Sequence, residues 1–281
     1  MPFIIPQEAF RNDRIYHNFG TDYSNVVGCG FLNKIGKDCW ENNTIFRHYA
    51  IVLVLSGKAK QIDEEGKETE IKPGCLIQRI PDKQQSLIID SDGSWLEFFI
   101  CISASMYEAL ISMNLLDKEQ NVLYPGINRA IYDECNTLLN SMKKTHPSEI
   151  DILLPEALKI ILILHRLHKE KGTSSKDREL IKKACLLLSK PTAYHESVLE
   201  VAKELGIGYE KFRKLFKNQV GVSPGNYVLQ KRMDYAKTCL MEKNKSIKEI
   251  AIELGFSDAY AFSKQFRNMV GVAPSEFRKY Y

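Results

Sequence analysis

The first half of the chain alternates short apolar runs with polar turn segments, a pattern typical of β-strands. From about residue 26 to residue 102, β-branched and aromatic runs such as YAIVLVL and WLEFFICI are separated by SGK, DEEGK and KPG. Several short strands at such close spacing predict a small antiparallel sandwich or barrel. From about residue 103 the apolar spacing becomes helical. The first half is therefore predicted to combine an antiparallel barrel with helices.

A short polar segment divides the chain. The stretch KGTSSKD at 171–177 holds only small and polar residues, and we predict a linker at 171–176. After it, every apolar pattern has the spacing of a short helix. The sequence thus predicts an α+β protein with a β-rich domain at 1–170 and an all-helical domain at 177–281.

The helical domain repeats itself. Ser197 and Glu200, and again Ser246 and Glu249, have the spacing of a capping box ahead of an apolar helix. Further matches follow at offsets of 49 and 50 residues, among them Gly206/Gly255, Phe212/Phe262, Phe216/Phe266 and Pro224/Pro274. Two capped helices that meet at a glycine turn, present twice, predict helix-turn-helix units at about 197–219 and 246–269. A generic helical array is the alternative, but such arrays usually need three repeats for stability.

Charge is divided unevenly between the halves. Residues 1–170 hold 18 basic and 23 acidic side chains, a formal charge of −5, whereas residues 171–281 hold 21 and 12, a formal charge of +9. This asymmetry indicates that the helical domain binds a polyanion. The second helix of each unit has an apolar face, which we expect in the core: Phe212, Leu215 and Phe216, then Phe262, Phe266 and Met269. The opposite face, rich in cations, suits a major-groove reader, although a solvated face is the alternative for either helix alone.

The motifs of this region resemble a known family. The second unit has the sequence SIKEIAIELGFSDAYAFSKQFRNMVGVAPSEFRKY, and the segment between the units is PGNYVLQKRMDYAKTCL. Over residues 177–281 the chain resembles the DNA-binding domain of the AraC/XylS transcription regulators. The resemblance implies a double-stranded DNA operator as partner. It also implies two recognition helices in successive major-groove segments, joined by a stiff helix at about 224–240.

The resemblance also implies which side chains contact DNA. The implied base contacts are Glu210, Arg213 and Lys214 in the first recognition helix and Ala259, Tyr260, Ser263 and Lys264 in the second. Lys217 and Arg267 lie lower on their helices and are expected to reach phosphates. Glu210 is a departure: a carboxylate accepts from cytosine N4 but repels phosphate, so it either reads a base or opposes non-specific binding. Gly208 stands where a serine-like cap is common.

The first half resembles, more weakly, the cupin-like effector-binding domain of the same family, over the segment from Tyr49 to Ile102. A small barrel has room for one small ligand, and the resemblance implies a sugar or a derivative as effector. Trp95 is a candidate stacking surface, with ordinary core packing as the alternative. The candidate polar anchors are Arg47, Gln78, Arg79 and Glu97, and strand alternation leaves open which of them point inward.

The helix predicted at about 150–169 has a wide apolar stripe. Part of the stripe is expected to cover the barrel. The remainder predicts a homodimer seam at Leu158, Ile161 and Leu164. His165 and His168, which share a face of this helix, are expected at an interface or in solvent.

Cysteine and histidine spacing limits the chemistry. The six histidines are scattered without an H-x-H pair, and the seven cysteines include no CxxC pair. We therefore expect no metal site, no cofactor, no disulfide framework and a cytoplasmic location. No apolar run approaches the roughly 20 residues of a membrane span.

Three classes of function remain. The leading one is a ligand-responsive regulator, an activator of carbohydrate genes that would work with RNA polymerase. A cupin-type enzyme with an accessory helical domain is opposed by the missing histidines. A DNA-repair fusion would need a reactive cysteine cluster, which the sequence lacks.

Overall fold

The computed structural model describes residues 3–34, 40–171, 174–190 and 197–280. The chain forms two compact units, Met1–Gly172 and Thr173–Tyr281, which we name the barrel unit and the helical unit. The division falls within the segment predicted as a linker. Regular structure extends further into that segment than predicted, because one helix ends at Lys171 and the next begins at Ser175.

Within the described residues, the strands of the barrel unit pair antiparallel into two sheets. The strands are β1 Asp13–Asn18, β2 Val26–Asn33, β3 Trp40–Ile45, β4 Tyr49–Ser56, β5 Ala59–Ile62, β6 Glu68–Ile71, β7 Leu76–Arg79, β8 Gln84–Ile89, β9 Leu96–Ile102 and β10 Val122–Leu123. The larger sheet has the order β1-β2-β9-β4-β7-β10 and the smaller one β3-β8-β5-β6. The antiparallel strands expected between residues 26 and 102 are confirmed.

The larger sheet is covered on both faces. Its outer face packs against the helices α1 Ala104–Ser112, α2 Arg129–Lys144 and α3 Leu153–Lys171, and its inner face packs against the smaller sheet. In β4, Ile51 and Leu53 point to the helices while Val52 and Val54 point into the barrel. Burial on both sides explains why this strand is a continuous apolar run in the sequence.

The apolar stripe of α3 is core, which corrects the predicted dimer seam. Ile161 and Leu164 are 0% and 1% exposed, and Leu158 is half-buried against the same helix-to-sheet core. A face that already packs against the sheet offers no surface to a second copy. The stripe is wide because α3 contacts α2 as well as β2 and β9.

His165 also lies inside this layer rather than at an interface or in solvent. Its Nε2 is 3.1 Å from the Tyr49 hydroxyl, which donates to Gln78 Oε1 at 2.6 Å. Burial lowers the pKa of His165 to about 4, because the cation would lose its hydration.

In the helical unit, the described helices are α4 Ser175–Leu188, α5 Val198–Glu204, α6 Tyr209–Val220, α7 Pro224–Glu242, α8 Ile247–Glu253, α9 Ala259–Val270 and α10 Pro274–Tyr280. They form two cores. The first joins α4, α5, α6 and the start of α7, and the second joins the rest of α7 with α8, α9 and α10. Both predicted helix-turn-helix units are confirmed as α5–α6 and α8–α9. No helix in the described ranges is long and apolar enough to cross a bilayer.

The two cores are built on matching aromatic side chains. Phe216 contacts Tyr227 at a ring distance of 5.4 Å, and Phe266 contacts Phe277 at 5.6 Å. Tyr227 and Phe277 are 50 residues apart in sequence, the same offset that separates Phe216 from Phe266. Helix α10 therefore takes the same place in the second core as the start of α7 takes in the first. Met269 was expected in the second core but is 38% exposed. It lies in the last turn of α9, beyond the point where the aromatic core ends.

A truncation on α3 tests its assignment to the core. We expect Ile161→Ala to lower the free energy of unfolding of the barrel unit by about 2–5 kcal/mol, because it leaves a cavity. The exposed Glu156 on the same helix provides the control, and Glu156→Ala should change it by less than about 0.5 kcal/mol. Both tryptophans belong to the barrel unit, so urea unfolding followed by their fluorescence reports on this unit. If Ile161→Ala leaves the free energy of unfolding unchanged but halves the mass measured by sedimentation, Ile161 belongs to a dimer seam and not to the core.

The neutral, buried His165 predicts a pH dependence of stability. Well above pH 6.5, the ordinary pKa of histidine, the ring is neutral in both states and contributes no slope. As pH falls from 6.5 towards 4, the unfolded chain takes up the proton first, so the free energy of unfolding falls by up to about 1.4 kcal/mol per pH unit. His165→Gln should remove this part of the slope. Identical slopes for the two proteins in urea titrations across this range would contradict the assignment.

Candidate nucleic-acid interface and barrel interior

The turn between the two helices of each unit is set by a glycine. Gly206 and Gly255 have φ of +66° and +74°, in the left-handed region that glycine occupies without steric cost. The next residue then donates back into the first helix, Ile207 N to Ala202 O at 3.0 Å and Phe256 N to Ala251 O at 2.9 Å. Ala202 and Ala251 are buried where the second helix crosses. The turn therefore fixes the direction in which α6 and α9 leave the core.

Helix α6 is anchored by one face and exposes cations on the rest. Phe212 and Phe216 are fully buried, while Arg213, Lys214 and Lys217 are exposed. An open groove of about 530 Å³ follows one side of the helix; it is lined by Tyr209, Arg213, Lys214, Lys217, Ser223, Pro224 and Gly225. A second groove of about 420 Å³ follows the other side, lined by Glu210, Lys211, Lys214, Leu215 and Asn218. Lys214 lines both grooves, so α6 protrudes as a ridge with space on each side.

Glu210 and Arg213 face each other on this ridge. Glu210 Oε2 is 4.0 Å from Arg213 Nε, and the side chains are 69% and 56% exposed. An exposed pair at this distance contributes little to stability, because water and salt screen it. Both side chains are therefore available to a partner outside the protein.

In α9 the predicted contacts divide into exposed and half-buried groups. Tyr260 is 78% exposed, and Lys264 and Arg267 are exposed as well. Ser263 is half-buried, and its hydroxyl donates to Ala259 O at 2.6 Å. Ala259 was expected to point outward, but it is half-buried and packs against the second core. The outward face of α9 is therefore dominated by Tyr260, Lys264 and Arg267.

Two basic residues of the helical unit, Lys245 and Arg278, bond to other residues of the unit and hold its helices together. Lys245 Nζ lies 2.6 Å from Glu253 Oε2, and Tyr235 donates to Glu253 Oε1 at 2.6 Å. Hydrogen bonds from Lys245 and Tyr235 hold the pKa of Glu253 below its ordinary value. Arg278 donates to Lys245 O at 2.6 Å. These contacts tie α7, α8 and α10 together.

The larger sheet brings three of the predicted effector anchors together inside the barrel. Trp95 is 1% exposed and donates from Nε1 to Glu97 Oε2 at 2.6 Å. Lys34 Nζ lies 3.3 Å from Glu97 Oε1 and 3.5 Å from Glu41 Oε1. Arg79 pairs with the other oxygen of Glu41. We name Glu97, Lys34, Glu41 and Arg79 the interior ion chain.

The interior ion chain joins the two sheets. Glu97 and Arg79 lie on β9 and β7 of the larger sheet, and Glu41 lies on β3 of the smaller one. Burial alone would raise the pKa of Glu41, but Arg79 and Lys34 outweigh it and lower the pKa. Glu41 is therefore ionised at neutral pH. The guanidinium of Arg79 also lies 4.3 Å from the ring centre of Phe46.

Two predicted anchors lie elsewhere. Gln78 is next to Arg79 but points to the opposite face, where its Nε2 donates to Asp117 O at 2.8 Å and Gln120 O at 2.6 Å. Arg47 is exposed in the connection before β4. The core-packing alternative for Trp95 describes its surroundings, since the indole is fully buried among apolar side chains.

Sequence reasoning missed three polar residues of the interior: Lys34, Glu41 and Gln61. Glu41 on β3 and Gln61 on β5 both pair with Leu87 on β8. The side chains of Glu41, Leu87 and Gln61 therefore all lie on the barrel-facing side of the smaller sheet. Gln61 is 1% exposed, and its Nε2 has no hydrogen-bond partner among the described residues. For Glu41 and Gln61 the strand register identifies these positions, whereas Lys34 lies just after the end of β2.

The caps of the two protruding helices differ, which gives a test of α6. Asp258 accepts from Ala261 N at 2.7 Å, whereas Gly208 caps α6 at φ −62° and ψ 138°, a conformation open to any residue. A Cβ at Gly208 would meet no described atom within 4 Å.

We therefore expect Gly208→Ser to raise the free energy of unfolding of the helical unit by about 0.5–1 kcal/mol, through a new cap and a less flexible unfolded chain. Asp258→Ala should lower it by about 0.5–2 kcal/mol. Thermal unfolding followed by helical circular dichroism measures both. If Asp258→Ala is destabilising but Gly208→Ser has no effect, the first turn of α6 is frayed in the free protein.

The chain is similar to known regulators. The sequence model of a family described as helix-turn-helix domain matches residues 201–280. The Msm operon regulatory protein of Streptococcus mutans is 26% identical over 241 residues, which cover 84% of this chain and 86% of that protein. The raffinose operon transcriptional regulatory protein RafR of Pediococcus pentosaceus is 25% identical over 260 residues, 91% of this chain and 94% of that protein. A crystal structure of a transcriptional regulator with an AraC-type DNA-binding domain from Chromobacterium violaceum is 27% identical, with a TM-score of 0.35; the match covers 38% of this chain and 95% of that one.

Proposed function

We propose that this chain, which belongs to the AraC/XylS family of transcription regulators, reads operator DNA with α6 and α9 and responds to a small organic ligand held in its barrel. The observation that carries the DNA-binding part is the repeated geometry of the helical unit. In both repeats a glycine turn directs an amphipathic helix outward, with aromatic side chains in the core and cations exposed. That arrangement suits insertion into the major groove.

We assign base contacts to the N-terminal half of each recognition helix and phosphate contacts to the turn that follows it. We propose that base edges are contacted by Glu210, Arg213 and Lys214 of α6 and by Tyr260, Ser263 and Lys264 of α9, whereas Ala259 packs against the second core. Arg213 and Lys214 can donate to guanine O6 and N7, and Glu210 can accept from cytosine N4. Lys217 and Arg267, one turn further along, would neutralise phosphates and fix the register. The exposure of the charged members supports these roles.

The ligand-binding part of the proposal concerns the interior of the barrel unit. The name of the Pediococcus relative refers to the raffinose operon, which favours a sugar or a derivative as effector and carbohydrate genes as targets. Glu97 and Arg79 are the residues that we propose to contact it, with Trp95 packed behind them and donating to Glu97. As an activator the protein would also contact RNA polymerase, and it would work in the cytoplasm, where operator DNA is accessible.

A homodimer is part of the same proposal, without the seam on α3. One helical unit reaches few phosphates, so two copies on adjacent half-sites would supply the affinity that a specific regulator needs. The buried stripe of α3 leaves the dimer surface to another part of the chain.

Binding measurements on the full-length protein test the roles of the recognition helices. On a duplex selected by the protein from a random pool, Arg213→Ala and Lys264→Ala should each cost about 1–3 kcal/mol, with much smaller losses on unselected duplexes. Lys217→Ala should weaken both kinds of duplex alike and reduce the salt dependence by about one counterion. Fluorescence anisotropy across a salt series measures both effects.

The exposed Lys60 of the barrel unit is the matched control, since Lys60→Ala removes the same charge outside the proposed interface. It should leave affinity for both duplexes unchanged. Equal losses for Arg213→Ala on selected and unselected duplexes would exchange the roles of Arg213 and Lys217. Unchanged affinity for all three helix variants would refute α6 and α9 as the DNA-binding surface.

A further inference from the structure

We infer that Glu253 is a positioning residue for DNA reading, because its contacts hold the end of α8 and thereby set the direction in which α9 meets the operator. This role rests on the proposed reading of DNA by α9. Within the described residues no corresponding contact holds the end of α5. Helix α9 is therefore held more firmly than α6 before DNA binds.

The carboxylate of Glu253 joins α8 to its neighbours. Glu253 is the last residue of α8 and lies two residues before Gly255, whose left-handed turn directs α9. Its Oε1 accepts from the Tyr235 hydroxyl of α7 at 2.6 Å, and its Oε2 lies 2.6 Å from Lys245 Nζ in the connection between α7 and α8. Lys245 Nζ is also 3.4 Å from the Tyr235 hydroxyl. We name Tyr235, Lys245 and Glu253 the Glu253 cluster.

Helix α10 holds the same cluster from another side. Arg278 of α10 donates to Lys245 O at 2.6 Å. At the other end of α8, the Ser246 hydroxyl accepts from the first turn. The seven residues of α8 are thus held at both ends. Because the two carboxylate oxygens have different partners, α8 cannot rotate about its own axis without losing one of these contacts.

The first unit has weaker restraints at the matching places. Glu204 ends α5 as Glu253 ends α8, 49 residues later, but Glu204 is exposed and makes no hydrogen bond or ion pair with a described residue. Leu205 is only partly buried, whereas Leu254 is fully buried. Helix α6 also lacks the side-chain cap that Asp258 gives to α9. The cluster, the burial and the cap therefore all restrain α9 more than α6.

The direction of α9 matters because base reading depends on geometry. A hydrogen bond to a base edge weakens steeply when its angle is poor, whereas attraction to phosphates depends mainly on charge and tolerates a small rotation. The side chains of Lys245 and Glu253 are 34% and 30% exposed, so water screens their pair and it adds little to stability. Loss of the Glu253 cluster should therefore reduce base discrimination by α9 more than it reduces stability.

Selection of duplexes from a random pool by full-length variants tests this role. Arg213→Ala and Lys264→Ala first identify the base pairs that α6 and α9 read. Glu253→Gln removes the charge and leaves one acceptor oxygen for two donors, so we expect it to flatten base preference at the α9 positions alone. Its binding to the duplex selected by the unaltered protein should weaken about fivefold to tenfold, comparable with the loss of one base contact.

Two further variants separate the contacts of the cluster from its charge. Glu204→Gln is the matched control, since it removes the same charge at the matching place of the first unit and should leave base preference unchanged throughout. Tyr235→Phe removes one hydrogen bond from the cluster without changing charge, so it should flatten preference at the same α9 positions to a smaller extent. Thermal unfolding followed by circular dichroism ensures that every variant is folded at the temperature of selection.

The outcomes against the positioning role are distinct. If Glu253→Gln lowers thermal stability but selects the same sequences as the unaltered protein, the cluster serves stability alone. Equal flattening at the α6 and α9 positions, or the same flattening in Glu204→Gln, would also overturn the role. If Lys264→Ala changes no base preference, the proposed reading of DNA by α9 is wrong and the positioning role falls with it.

Discussion

The helical unit depends on α7, which belongs to both of its cores. Val228, near the start of this helix, packs in the first core, and Met233, Ala236 and Leu240 pack in the second. A helix of 19 residues is about 28 Å long, close to the roughly 34 Å between successive major-groove segments on one face of DNA. Because α7 packs in both cores, it connects them through one continuous helix, and we expect this helix to set the spacing of α6 and α9.

On this common frame the two recognition helices differ in what they expose. The buried positions repeat closely, Phe212 with Phe262 and Phe216 with Phe266. The outward positions do not repeat: at matching places, α6 exposes the carboxylate of Glu210 and α9 exposes the ring of Tyr260, each beside cations. Packing explains the contrast, since each core accepts only one arrangement of aromatic rings while the exposed face is free of that constraint. In the proposed function, the two helices thus read different base pairs, and the operator half-site has no internal symmetry.

The helical unit could be predicted from sequence in detail, and the barrel interior could not. Capping boxes, glycine turns and apolar spacing are local signals, so they located α5, α6, α8 and α9 to within a residue or two. The direction of a strand side chain depends on register with partners far away in sequence. Hence Gln78 and Arg79 were grouped together although they face opposite sides of β7, and Gln61 was missed. The stripe of α3 was misassigned for a similar reason, because the sequence does not reveal how many neighbours a helix has.

The opposite orientations of Gln78 and Arg79 also relate the barrel interior to α3. Arg79 pairs with Glu41 inside the barrel, and the adjacent Gln78 accepts from Tyr49, whose hydroxyl lies 3.1 Å from His165 on α3. Gln78 and Arg79 are consecutive residues of β7, so a displacement of this strand would move both side chains. In the proposed ligand response, a sugar that rearranges the interior ion chain would therefore displace β7 and disturb the hydrogen bonds that hold α3 to the sheet. Since α3 ends at Lys171, directly before the helical unit begins, this helix is the shortest covalent route by which ligand binding could reach the DNA-binding half of the chain.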